Sequence, residues 1–279
     1  MSFAEREMRF TFSGSPAGSF SAAGLRAAAS IAAFEGRLGC QAQVKIWGLS
    51  MDQMNAYSSR ISAGVGIDDF NLTIEVGDLG SNLSQVINGA IWRSFIDLSD
   101  APDSAFNVTV AGIYDAAKPI PSQSHAGPQN AEELIYSLCQ LGGFTFANNG
   151  AHCVLRNHAT YGSVIDQIDK IATAANFNWY LNGDTVTIWP NNGTIDGIVI
   201  DVGPATEPQM VGYPRFWEAG IIVTSLFNQQ VQVGRQMNVT SNLKNAAGLW
   251  QIIRVQHELT TMMDKGPWFT TAVLAPAIS

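Results

Sequence analysis

Charge is what this chain has least of. Asp, Glu, Lys and Arg make up 14% of its 279 residues, against about 25% in an ordinary soluble domain. Bases are the scarcer sign, 15 against 23 acids for a net charge of −8, and no three occur in a row. Phosphate binding draws its affinity from clustered Lys and Arg, so this composition argues against a nucleic-acid binder. Cysteine is sparse and odd in number: Cys40, Cys139 and Cys153 lie far apart. They read as small buried hydrophobes in a reducing compartment, not as a disulfide framework. Long apolar runs are missing too. The start "MSFAEREMRF" places charges where a signal peptide needs a continuous apolar stretch. The segment "AAGLRAAASIAAF" is broken by Arg26 and is too short to cross a bilayer. These absences predict a chain made and kept soluble in a cytoplasm, without membrane insertion.

The motifs of common chemistries are also missing. "GSPAGS" (Gly14–Ser19) has the glycines of a phosphate loop but no Lys to reach the phosphates. Cys139, His152, Cys153 and His158 are zinc-ligand types without C-x-x-C spacing, and neighbours at 152 and 153 on a strand point to opposite faces. His257, in "RVQHELTT", has no G-x-S-x-G or H-E-x-x-H beside it and reads as a packed strand histidine. Glu132-Glu133 and Asp68-Asp69 are adjacent carboxylates. A glycosidase needs its pair facing across a sugar, and neighbours on a helix do not face each other. Glu132-Glu133 therefore complements a helix dipole, and Asp68-Asp69 sits in a turn. The seven tryptophans (47, 92, 179, 189, 217, 250, 268) are scattered and read as core and interface packing. Hence no catalytic, cofactor-binding or metal residue is assigned, no cofactor is implied, and the chain reads as a structural or binding protein rather than an enzyme.

What is present is β-pattern. The 26 glycines and 46% hydrophobic content, with low charge, suit a β-rich protein that hides surface in an assembly. Over 1–118, "EMRFTFS", "FNLTIEVGD" and "FNVTVAGIY" alternate as strands, "AAGLRAAASIAAF" is ambiguous, its alanines permitting a helix while Leu25, Ala27, Ala29 and Ile31 alternate in favour of a strand, and Asn88-Gly89 signals a hairpin. Residues 119–130, "PIPSQSHAGPQN", read as a linker. The period then changes. Asn130 and Glu133 resemble a capping box opening a helix with Leu134, Leu138 and Leu141 on one stripe, closed by Gly142-Gly143. "FTFANNGAHCVLRN" reads as a hairpin at Asn149-Gly150. A second helix starts at Ser163 with Ile165, Ile168 and Ala172 inward, and a second hairpin turns at Asn182-Gly183. Four further strands fill 205–279. The expected architecture is α+β and β-rich: a first β-barrel at 1–118, a linker at 119–130, an α/β insert of two α-β-β units at 131–204, and a second β-barrel at 205–279.

One stretch links this architecture to a known family. In "VKIWGLSMDQMNAYSS" (Val44–Ser59) an alternating strand breaks at Gly48 and becomes a short helix. Ser50 caps it, and Met51 and Met54 are read as its packing side. The segment resembles one in baseplate hub proteins of tailed bacteriophages and prophages. The resemblance continues through "IYDAAKPIPSQSHAG", "MVGYPRFWEAGIIVTSLFN" and "GLWQIIRVQHEL…WFTTAVLAP", in order along most of the chain; the alanine-rich "SAAGLRAAASIAAFEG" departs from it. It implies two tail-tube-like antiparallel barrels fused around an insertion. It further implies a homotrimeric ring that joins the tail tube protein to a central spike protein; contractile and non-contractile tails both stay open, the contractile kind preferred. The tape measure and other baseplate proteins would be further partners, DNA would pass through without specific binding, and assembly would occur in the host bacterial cytoplasm. A tail-associated cell-wall hydrolase and a host-receptor-binding tail-tip module are the rival readings.

Overall fold

Alternating apolar positions dominate this chain, and they become strands. The computed structural model describes residues 5–14, 18–58, 70–99, 101–112 and 119–277. It is 55% strand and 13% helix, and it divides into two compact units.

Unit 1 comprises Met1–Ala32, Cys40–Gly112 and His257–Phe269. Its strands are β1 (Arg6–Ser13), β2 (Phe20–Ala23), β3 (Ala27–Phe34), β4 (Cys40–Trp47), β5 (Asn71–Asp78), β6 (Ser84–Asp97) and β7 (Ala105–Ala111), with helix α1 (Met51–Ala56). The end of β17 (Gly248–Thr261) joins them, giving the order β17-β3-β4-β7-β6-β5-β1-β2. Met8, Phe10 and Phe12 of β1, Leu72, Ile74 and Val76 of β5, and Phe106, Val108 and Val110 of β7 are all buried, two residues apart as the pleat requires. The alanine-rich segment is a strand, with Ala27, Ala29 and Ile31 inward. Helix α1 opens on a full capping box between Ser50 and Gln53. It buries Met54 and leads into Tyr57, whose ring lies among Phe12, Phe20 and Phe70 at centroid distances of 4.9–5.5 Å.

Unit 2 comprises Ala33–Gly39, Ile113–Gln256 and Thr270–Ser279. Among the described residues strand β8 (Pro119–Asn130) pairs only with β10 (Val154–Ser163), as a two-stranded ribbon. Helices α2 (Ala131–Gly142) and α3 (Val164–Ala175) share a core with β9 (Thr145–Asn148), β11 (Phe177–Asn182) and β12 (Thr185–Pro190), which form a sheet in the order β11-β12-β9. Ile165, Ile168 and Ala172 of α3 are inward, and Gly143 closes α2 at φ 75°. A second core lies among β13 (Val199–Val202), β15 (Gly220–Leu226), β16 (Gln236–Val239), β17 and β18 (Trp268–Pro276), while β14 (Arg215–Trp217), paired with β15, stays outside it. Strands β17 and β18 each contribute residues to both units.

Several expectations are corrected. Among the described residues no sheet closes into a barrel; the strand path ends on two open edges, β14 and β2. The segment read as a linker is strand β8, because its polar, proline-bearing sequence suits an edge ribbon, where unpaired N–H groups are few and face water. Asn88-Gly89 makes no hairpin and lies inside β6. Neither residue takes the positive φ such a turn demands, and a Cβ at Gly89 would meet Val110 Cγ1 at 3.0 Å, so the glycine serves strand contact. The turn at Asn149-Gly150 forms, but its strands part: the Asn148 side chain bonds both backbone groups of Ala151, β9 runs parallel to β12, and β10 pairs with β8. The second hairpin does form, from Asn182 to Thr185. Met51 and Leu141 are 47% and 56% exposed, so Met54 alone packs from α1, and Leu134 and Leu138 carry the α2 stripe. Asn130 makes no side-chain cap; its amide bonds Glu133 instead, at 3.0 Å.

Candidate functional site

The residues singled out for chemistry fall into structural roles. Cys139 is sealed in the helical core of unit 2, where burial pushes its thiol up to about 12, far from a thiolate. Cys40 is also buried, Cys153 is half-buried, and among the described residues none of the three forms a disulfide. His152 does not approach a metal cluster: its Nδ1 meets Glu132 Oε1 at 2.9 Å, and Glu132 Oε2 accepts the Cys153 N–H. Burial raises the Glu132 pKa, but the bonds from His152 and the backbone outweigh it, so the carboxyl titrates below its ordinary value. This pair ties the start of β10 to the first turn of α2. Glu133 faces Asn130 instead, so the adjacent carboxylates serve different partners.

His257 is buried in β17, and burial pushes its pKa down to about 4, leaving the ring neutral at pH 7. His158 lies in the β8–β10 ribbon opposite His125, away from any third acidic or thiol ligand: among the described residues no group of three or more His, Cys, Asp or Glu could hold a metal. Asp68-Asp69 and the middle of "GSPAGS" lie outside the described residues.

Two concavities in unit 1 are lined by mixed side chains. A cleft of about 490 Å³ is bordered by Glu5, Arg6, Glu7 and the turn Met262–Asp264. Arg6 is occupied there, donating to Gly266 O at 3.3 Å and lying over the Trp268 ring. A groove of about 390 Å³ crosses β3, β4 and β7. It contains the Ser30–Glu258 hydrogen bond at 2.7 Å and the Lys45–Asp97 pair at 3.3 Å. Among the described residues neither is lined by a histidine or a cysteine.

The larger unexplained feature is exposed apolar surface. On unit 1, the outward side of β6 and the turn after it carry Trp92, Phe95 and Leu98, with the Arg93 guanidinium over the Phe95 ring at 5.2 Å. On unit 2, Val211, Tyr213, Phe216 and Trp217 crowd around β14, and Tyr213 is 67% exposed. Strand β14 is a sheet edge with one side unpaired and every side chain outward. Aromatic, charge-poor surface at an open edge is what protein contacts use. Sequence reasoning grouped all seven tryptophans as core or interface and could not sort them. Trp179, Trp189 and Trp268 proved buried, Trp92 and Trp217 exposed. The available signal was Arg93 next to Trp92 and Arg215 two residues before Trp217, which a buried strand would not tolerate unpaired.

The fold defines a class. The chain superposes on the tail protein from Neisseria meningitidis MC58 with a TM-score of 0.66 at 9% identity, covering 96% of each chain. It matches the E. coli c3393 protein, a component of the type VI secretion system with structural similarity to T4 bacteriophage tail proteins gp27 and gp5, with a TM-score of 0.62 at 8% identity over 90% of this chain and 73% of that one. A 43 kDa tail protein of prophage MuSo2 from Shewanella oneidensis gives 0.60 at 10% identity, over 96% and 99%. The fold is that of phage and prophage tail proteins. The sequence narrows this: the model of the baseplate hub gp41 family matches residues 9–272. The chain belongs to that family and is a structural component of a phage tail baseplate, carried in the virion. No curated protein matches it in sequence.

Proposed function

We propose that this protein assembles as a homotrimeric hub ring that joins the tail tube to the central spike and lets DNA pass during ejection, without catalysing a reaction. The observation that carries this reading is the family match over residues 9–272, which spans both units and not one module. The physical features agree with it. Separate aromatic surfaces at β6 and β14 offer contacts for more than one neighbour. A net charge of −8 disfavours adhesion to a sliding polyphosphate. The E. coli relative, similar to gp27 and gp5, makes spike and tube proteins the partners of choice. The tape measure and other baseplate proteins are further neighbours, and assembly takes place in the host cytoplasm.

Mass photometry of the chain alone, and with its neighbouring spike and tube proteins, tests the proposal. A trimer, alone or formed on either partner, is expected. A persistent monomer that ignores both would overturn it. A zymogram on cell walls addresses catalysis separately: lysis abolished by one carboxylate-to-amide change would make the protein an enzyme.

A further inference from the structure

The β8–β10 ribbon turns one row of side chains inward: Gln123 and His125 on β8, and Leu155, His158 and Thr160 on β10. Strict alternation after Leu155 would place residue 157 in that row. A bulge changes the phase: the register jumps from Arg156↔Pro128 to His158↔His125. Asn157 adopts φ 52° and Gly127 φ 78°, and the Gly127 N–H donates to Asn157 Oδ1 at 2.9 Å. Left-handed backbone at a non-glycine residue is uncommon, and bulges of this kind re-aim a side chain. Here the re-aimed side chain is His158, set directly across from His125.

His158 Nε2 is buried and has no hydrogen-bond partner among the described residues, which is unusual for a buried ring nitrogen. His125 Nε2 lies 3.3 Å from Gln123 Oε1. If the ring donates there, Nδ1 keeps its lone pair; carbonyl partners orient metal-ligating histidines in this way. We propose that the ribbon is a transition-metal site, with His125 and His158 as its two protein ligands, Gln123 as the positioning residue, and water completing the coordination. Neutral imidazole nitrogen selects Zn²⁺, Ni²⁺ or Cu²⁺ over Mg²⁺ and Ca²⁺, which prefer oxygen. Bound metal would clamp β8 to β10, its one strand partner among the described residues.

The test is calorimetric titration of the untagged full chain with ZnCl₂ and NiCl₂ near pH 7.5, with thermal melts in parallel. One equivalent is expected to bind, and at a hundred times the dissociation constant Tm should rise by about 5 °C. His125→Asn and His158→Asn should each abolish binding, Gln123→Ala should weaken it roughly 10-fold, and His152→Asn should leave it unchanged. MgCl₂ should give no heat. If His158→Asn fails to fold, His125→Asn and metal-induced shifts of the imidazole resonances in the intact chain decide the matter. The proposal is overturned if none of Zn²⁺, Ni²⁺ and Cu²⁺ binds, or if binding survives loss of His125 or follows His152 instead.

Discussion

Unit 1 and the helical part of unit 2 are built by opposite means. In unit 1 consecutive pairs such as β5–β6 and β6–β7 are tied together by partners far apart along the chain: β1 pairs with β5, matching Arg6 to Asp78, and Ser30 bonds Glu258. In residues 131–190 most elements are positioned by near neighbours. Ser163 and Asp166 start α3, Asn176 ends it at φ 58°, and β11 turns straight into β12. The difference shows where each region is vulnerable: unit 1 through its common core, the helical part through individual caps and turns.

The largest expected effect uses that contrast. Met54 is 1% exposed beneath α1, and Met54→Asp would bury a charge without a partner, costing unit 1 about 4 kcal/mol. Hydrogen exchange should show protection lost across β1, β5 and β6 and kept in α2 and α3. Equal loss in both would mean the units fold as one, and a soluble, native-like assembly of the variant would refute the role given to α1.

Acid should separate the units next. His257 belongs to unit 1, and its folded pKa, about 4, lies below its ordinary 6.5. The unfolded chain therefore takes up the proton first as pH falls. This group leaves stability constant above pH 6.5 and removes it between 6.5 and about 4, by about 3 kcal/mol in total. His257→Gln should flatten that slope in urea midpoints; an unchanged slope would assign it elsewhere. Asp97, Asp166 and Glu132, held below their ordinary values chiefly by hydrogen bonds, act at lower pH, as it falls through their folded pKa values.

A smaller effect is expected in the second core of unit 2. A Cβ at Gly220 would overlap the Leu274 carbonyl oxygen, which belongs to backbone and cannot swing aside. Gly220→Ala should cost about 2 kcal/mol, with exchange rising in β15 and β18 and little change in α2 or α3. The smallest test lies within the helical part. Ser163→Ala removes a true cap and should cost about 1 kcal/mol, whereas Asn130→Ala removes none and should cost well under about 0.5 kcal/mol. Equal thermal shifts would erase the distinction between the two helix starts.

Much of this was legible beforehand because local rules carry it. Phe10 and Phe12, Ile74 and Val76, and Ala27, Ala29 and Ile31 announced their inward faces by alternation, and Ser50, Ser163 and Gly143 announced helix ends. The misreadings share a cause. Asn88-Gly89 and 119–130 carry turn and linker composition, yet the first sits in the middle of a strand and the second pairs with a segment more than twenty residues on. Composition reports what a backbone tolerates, not which partner it finds. The candidate surfaces were less legible still. Trp92 and Trp189 each follow an isoleucine in a strand, and packing leaves one exposed and the other sealed.

By itself the sequence determined the β-rich class, the positions of most strands and of the three helices, the lack of a familiar catalytic motif, and the resemblance to tail hub proteins. These depend on period, caps and charge, which are properties of neighbouring residues. The tertiary structure alone decided the strand order, the open edges at β14 and β2, the outward aromatics of β6, and the pairing that sets His158 across from His125. Each of these depends on contacts between distant residues, whose free energy exists only once the chain has closed the loops between them.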